Sequence, residues 1–277
     1  MLRISVLLQV KAIAVRKRNL SGVKNFGEAG GAAKTLVSLV RPRRPVRKVL
    51  MDAGERQIEI DASRTAVLVV DMQNDFMSEG GWFDVRGIDG RWALDLIEPI
   101  NAGTALARGE GIPVVWLNWG VRADLLNVHP SHRRTIKPDP ADPSYAPRMA
   151  SGKGPVLERG SWGAEIVPGL VVGPDDIHVA KHRYSGFWDN ELDSVLRNLD
   201  VTTILLCGIN LDRCVFATAI DACNAGYDVV LLQDLTGTHS EQYCADASLF
   251  LVDRCFGFVS DLPSLAAGLR PPPSTAS

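Results

Sequence analysis

The sequence predicts an α/β protein with a doubly wound parallel sheet and helices on both faces. Three observations carry this. Short runs that are apolar at nearly every position recur, as strands covered on both faces require. Segments with helical spacing separate them. The stretch from Thr202 to Asp234 (TTILLCGINLDRCVFATAIDACNAGYDVVLLQD) reads as a strand, a tight elbow, a helix, a glycine stop at Gly226 and a second strand.

The elements follow in order. Thr65–Asp71 (TAVLVVD) is a continuous apolar strand, and Trp92–Arg108 is a helix with Leu94, Leu96, Ile97, Ile100 and Leu106 on its periodic positions. Ile112–Trp119 (IPVVWLNW) is the second strand. Residues 120–176 are rich in Pro, Gly and His and too long for a plain connection. Asp176–Lys181 (DIHVAK) is the third strand, Glu191–Asn198 a short helix, and the Thr202–Asp234 unit comes next. A helix over 242–254 and a strand over Phe256–Ser260 close the domain, and the tail RPPPSTAS is expected to fray.

Composition narrows the function. The chain has 277 residues, and its first fifty hold twelve Lys and Arg against one acid, Glu28, leaving 18 basic and 31 acidic residues in the rest. The body is therefore acidic, and no nucleic-acid partner is expected. No apolar run approaches the ~20 residues of a membrane span, so no membrane partner is expected. Five cysteines without a CxxC pair point to a reducing, cytoplasmic setting.

Residues 1–50 are read as a basic extension, flexible or an oligomerisation arm, and residues 51–277 as the main domain. Met51 opens MDAGERQIEIDAS, which resembles an ordinary start, so a chain beginning there is expected to fold. An over-called upstream start, a functionless tail, organelle targeting and an assembly arm all remain open for the first segment.

Cys214 begins the helix after the elbow Gly208–Arg213. Unpaired N–H groups and the helix dipole there favour a thiolate, lowering a thiol pKa from its usual ~8.5. The other four cysteines read as small buried hydrophobes. Asp71 and Lys181 end their strands, and ligands of open parallel sheets bind at the carboxyl ends near the switch point. The three side chains can therefore meet in one cleft. A carboxylate can take a thiol proton, a lysine keeps that carboxylate ionised, and the helix N-terminus supplies donors for an oxyanion.

These residues stand in recognisable motifs: Asp71 in VVDMQNDF, Lys181 in AKHRYSGF, Cys214 in GINLDRC, with GSWGAEIVPGL and FGFVSD elsewhere. The set resembles the isochorismatase-like cysteine hydrolases over about residues 60–262. The segments KHRYSGFWDNELDSVLR and GGWFD look most like ureidoacrylate amidohydrolases, with biuret and N-carbamoyl amino acid amidohydrolases next. The resemblance implies a six-stranded parallel sheet and a cis peptide between Ile209 and Asn210. It also implies an oxyanion hole from the Asn210 and Cys214 amides, and a catalytic Asp71, Lys181 and Cys214. The implied reaction cleaves the C–N bond of a small linear ureido or amide compound through an acyl-cysteine, without metal or cofactor.

Gln73, Asn74, Trp119, Tyr184, Phe187 and Trp188 are expected around the substrate. A homo-oligomer, dimer or tetramer, is expected. His129 and His132 are read as surface residues and not metal ligands. Two departures bear on the substrate: the elbow reads Asn210-Leu211-Asp212-Arg213, and Trp119 stands where the ureidoacrylate relatives carry Asn. Two rivals are vinyl-ether hydrolysis, whose enzymes typically lack the cysteine, and an idle oligomeric scaffold.

Overall fold

The structure, a computed structural model, describes residues 35–42, 44–132 and 153–270. The chain divides into two units, Met1–Arg43 and Arg44–Ser277. Residues 35–42 of the first are exposed and lack regular secondary structure. Most of the expected basic extension, part of the long insert and the terminal tail lie outside the described residues.

The second unit opens with an antiparallel hairpin, β1 (Lys48–Ala53) and β2 (Arg56–Asp61). Sequence reading missed it, although β1 alternates buried Val49, Met51 and Ala53 with exposed neighbours, the period of a half-buried strand. The hairpin begins three residues before Met51, so the end of the segment read as an extension is built into the body.

The remaining strands form one parallel sheet: β3 (Thr65–Val70), β4 (Val114–Trp119), β5 (Ile177–Lys181), β6 (Thr203–Ile209), β7 (Asp228–Gly237) and β8 (Phe258–Ser260), in the order β5-β4-β3-β6-β7-β8. This is the expected six-stranded sheet. β3 and β6 are buried at every residue, which is why they read as continuous apolar runs. The chain winds outward from β3 to β5, then restarts at β6 and winds the other way. Right-handed crossovers therefore put helix α3 (Ile97–Gly109) and helix α5 (Phe216–Asn224) on opposite faces.

Two very short helices, α1 (Asn74–Met77) and α2 (Trp82–Val85), follow β3. The expected helix at Trp92 starts as a 3₁₀ turn, Arg91–Leu96, before α3. Helix α4 (Leu192–Asn198) matches its expected span. Helix α6 (Gln242–Leu251) continues into a π turn through Phe256. A last helix, α7 (Leu262–Leu269), went unread, although its signal is plain: Asp261 caps it by accepting from the Ser264 N–H, and Pro263 sits in the first turn. No helix among the described residues is long and apolar enough to cross a membrane.

Candidate active site

The switch point lies between β3 and β6. Gly208, at φ +102°, brings these strands together: a Cβ there would sit 2.2 Å from the Val70 carbonyl oxygen, closer than any side chain permits. One residue on, Asp71 leaves β3 at φ 52°, a left-handed conformation that Asp tolerates better than most residues. Beyond β6 the Ile209–Asn210 peptide is cis, as expected. Residues Leu211–Val215 then make a π turn that leads into α5 and carries Cys214.

Lys181 comes from farther away. Neighbouring strands lie about 4.8 Å apart, so the end of β5 is roughly 10 Å from β3. The lysine stem spans that gap across β4. Its Nζ lies 4.1 Å from the centre of the Trp119 ring and 2.7 Å from Asp71 Oδ2. Lys181 and Asp71 are 0% and 1% exposed, and Cys214 6%. The structure thus brings the three residues together. The thiol interacts electrostatically with both the Asp71 carboxylate and Lys181.

The electrostatics work against one expectation, the thiolate. Burial pushes the Cys214 thiol well above its ordinary value, the Asp71 carboxylate adds to the rise, and Lys181 only partly opposes them. Desolvation here acts against the helix N-terminus, which favours the thiolate. Burial also raises Asp71, against the pull of Lys181 and Cys214.

Cys214 opens into a cavity of about 350 Å³. Trp119 and Tyr184, expected around the substrate, do line it, as does Asn210. The other four do not. Gln73 braces the backbone, donating to the Trp119 and Ala164 carbonyls and accepting the Trp119 N–H. Asn74 donates to the Trp162 carbonyl and accepts from Ser78. Phe187 packs on Tyr227. Trp188 is 59% exposed and donates to Asp221. His129 is exposed, as expected, but His132 is half-buried, stacked on Trp119 and edge-on to Tyr184. Burial, Arg183 and Lys181 lower its pKa to about 4. Among the described residues no group of three or more His, Cys, Asp or Glu could hold a metal ion.

Sequence reading missed most of the wall: Phe76, Trp82, Phe83, Arg86, Arg213 and His239. The first four follow β3, where α1 and α2 are tied to the long insert by Asp75. This buried carboxylate accepts the Trp82 and Leu157 N–H groups, and Gly163 is the only residue type that fits against it, since a Cβ would lie 2.0 Å from Asp75 Oδ2. The GGWFD segment was the available signal. His239 had none, as it is set by the fold. Its Nε2 faces Arg213 at 3.0 Å and its Nδ1 faces Asn210 Oδ1 at 3.1 Å. A guanidinium only donates, so Nε2 accepts and Nδ1 carries the proton toward Asn210. Burial and Arg213 hold this imidazole below its ordinary pKa.

Comparison with known proteins gives the family and the fold. The isochorismatase domain family matches residues 65–264. Ureidoacrylate amidohydrolase RutB of Cronobacter sakazakii is 32% identical over 232 residues, covering 80% of this chain and 96% of its own. A cysteine hydrolase from Pseudomonas syringae pv. phaseolicola superposes with a TM-score of 0.63 at 28% identity, over 76% of this chain and 94% of that one. N-carbamoylsarcosine amidase from Thermoplasma acidophilum shares the fold, with a TM-score of 0.53 at 24% identity over 72% of this chain and 96% of its own. With its sheet order, its cis elbow and a family match over most of its body, the chain belongs to the isochorismatase family and is an isochorismatase-like hydrolase.

Proposed function

We propose that the protein is a cysteine amidohydrolase that releases ammonia from a small linear ureido or amide compound of the ureidoacrylate type. The observation that carries this is a buried thiol, its pKa raised by burial, beside the Asp71–Lys181 ion pair. A neutral thiol needs a base at the moment of attack, and Asp71 is the carboxylate within reach.

In the proposed sequence, Cys214 Sγ attacks the carbonyl carbon while Asp71 takes the thiol proton. The Asn210 and Cys214 amides hold the oxyanion. Asp71 returns the proton to the leaving nitrogen, the C–N bond breaks and ammonia departs. Water, deprotonated by Asp71, then attacks the thioester or thiocarbamate and frees the thiolate, which recovers the proton. Lys181 keeps Asp71 ionised throughout and remains charged.

The test is an ammonia-release screen over ureido acids, biuret, N-carbamoyl amino acids and simple amides, with mass spectrometry of the intact protein for an adduct at Cys214. Turnover of a ureido acid through such an adduct supports the reading. No release from any of these substrates, with Cys214 labelled by iodoacetamide no faster than free cysteine, sinks it.

A further inference from the structure

The cavity has a charge pattern that the amidohydrolase reading leaves unused. Two guanidiniums line it, Arg86 and Arg213, and none of the described lining residues is a carboxylate. Asp71 is compensated by Lys181. The remaining wall is largely aromatic, with Phe76, Trp82, Phe83 and Trp119, and a wall of low polarity strengthens any ion pair formed against it.

Arg213 is also held in a fixed pose. One terminal amino group meets His239 Nε2 at 3.0 Å and the other donates to Ser240 Oγ at 3.2 Å. Asp212 Oδ2 makes an ion pair with Nε at 3.8 Å, longer than a hydrogen bond, while its oxygens accept from Thr238 and Ser240, so Asp212 fixes the guanidinium from outside the cavity lining. A guanidinium has five N–H donors; with two used in these hydrogen bonds and Nε facing Asp212, one on each terminal nitrogen remains for a ligand. A planar fork with paired donors matches a carboxylate.

We infer that Arg213, the residue before the nucleophile, determines specificity by binding a carboxylate on the substrate, with Arg86 supplying a second positive charge. This rests on the amidohydrolase reading and narrows it: the ureido or amide group lies at Cys214 and an acid group occupies the other end of the molecule. Biuret and simple neutral amides are then poor substrates.

The test compares 3-ureidoacrylate and 3-ureidopropionate with their methyl esters. Wild type is expected to favour each acid at least about tenfold in kcat/KM. Arg213→Gln is expected to lose roughly 10- to 100-fold on the acids, mainly through KM, so that the acid-to-ester ratio collapses toward one; Arg213→Lys recovers part of it. Calorimetry of the same compounds on Cys214→Ser reads the preference without turnover. A wild-type ratio near one overturns the inference whether or not Arg213→Gln folds, and so does a ratio that survives in Arg213→Gln. Tight binding of the acids with no ammonia and no adduct would instead sink the amidohydrolase reading and leave the carboxylate site standing.

Discussion

Asp71 meets two opposing demands. It must be ionised to accept a proton, yet it is 1% exposed and burial raises its pKa. Lys181 is the group that resolves this, 2.7 Å away. The acid limb of the kcat/KM profile should therefore lie above the ~3.9 of an ordinary Asp, with activity lost as pH falls through it. Lys181→Met removes the ammonium that lowers Asp71, so the limb should move to higher pH, and kcat/KM at neutral pH should fall at least about 100-fold. A limb that stays in place in the folded variant would show that Lys181 does not act on Asp71 through its charge. Cys214→Ser should fold and lose at least about a thousandfold, because a carboxylate ionises a serine hydroxyl poorly; substantial remaining turnover would end the covalent mechanism. The three residues were legible because Asp71 and Lys181 stand at strand ends, Cys214 follows the elbow beyond a third strand, and each lies in a distinctive motif. The upward push of burial on the thiol was not, because desolvation depends on what the fold packs around the sulfur.

At the level of elements, the buried strands and main helices were legible from hydrophobic run and period, and the pieces missed were small or half-exposed. The β1–β2 hairpin is the consequential omission. Val49 is buried and pairs with Ile60, and Leu50 pairs with Glu59. Helix α7 packs so close that a Cβ at Gly268 would lie 2.2 Å from the Leu50 carbonyl oxygen. A chain starting at Met51 deletes half of β1. It should lose about 2–4 kcal/mol from Val49 burial and broken ladder bonds, a fall in Tm of roughly 5–15 °C. A chain starting at Arg44, where the second unit begins, should melt with the full-length protein. Equal melting of the two truncations would show that β1 contributes nothing to stability. The cavity wall was the least legible element. Phe76, Trp82 and Phe83 sit on short helices whose positions depend on Asp75 reaching the Leu157 N–H, a contact 82 residues away in sequence.

Across the whole molecule, the alternation of strand and helix was enough to give a parallel sheet, but the strand order is what makes a site. Asp71, Lys181 and Cys214 leave three different strands, and only the restart of the chain beside β3 puts β6 next to it. The same order places β4 between β3 and β5, which is why Trp119 forms the surface over which Lys181 reaches its partner. If the three side chains serve one proton-coupled attack, their losses cannot multiply, because removing any one already forfeits the step. The Asp71→Asn/Cys214→Ser double variant should be no slower than the worse of the two single variants by more than about threefold. If the double variant instead lost the product of the two single effects, and melted as the singles do, Asp71 and Cys214 would be acting in separate steps, and the carboxylate could not be the base that prepares the thiol.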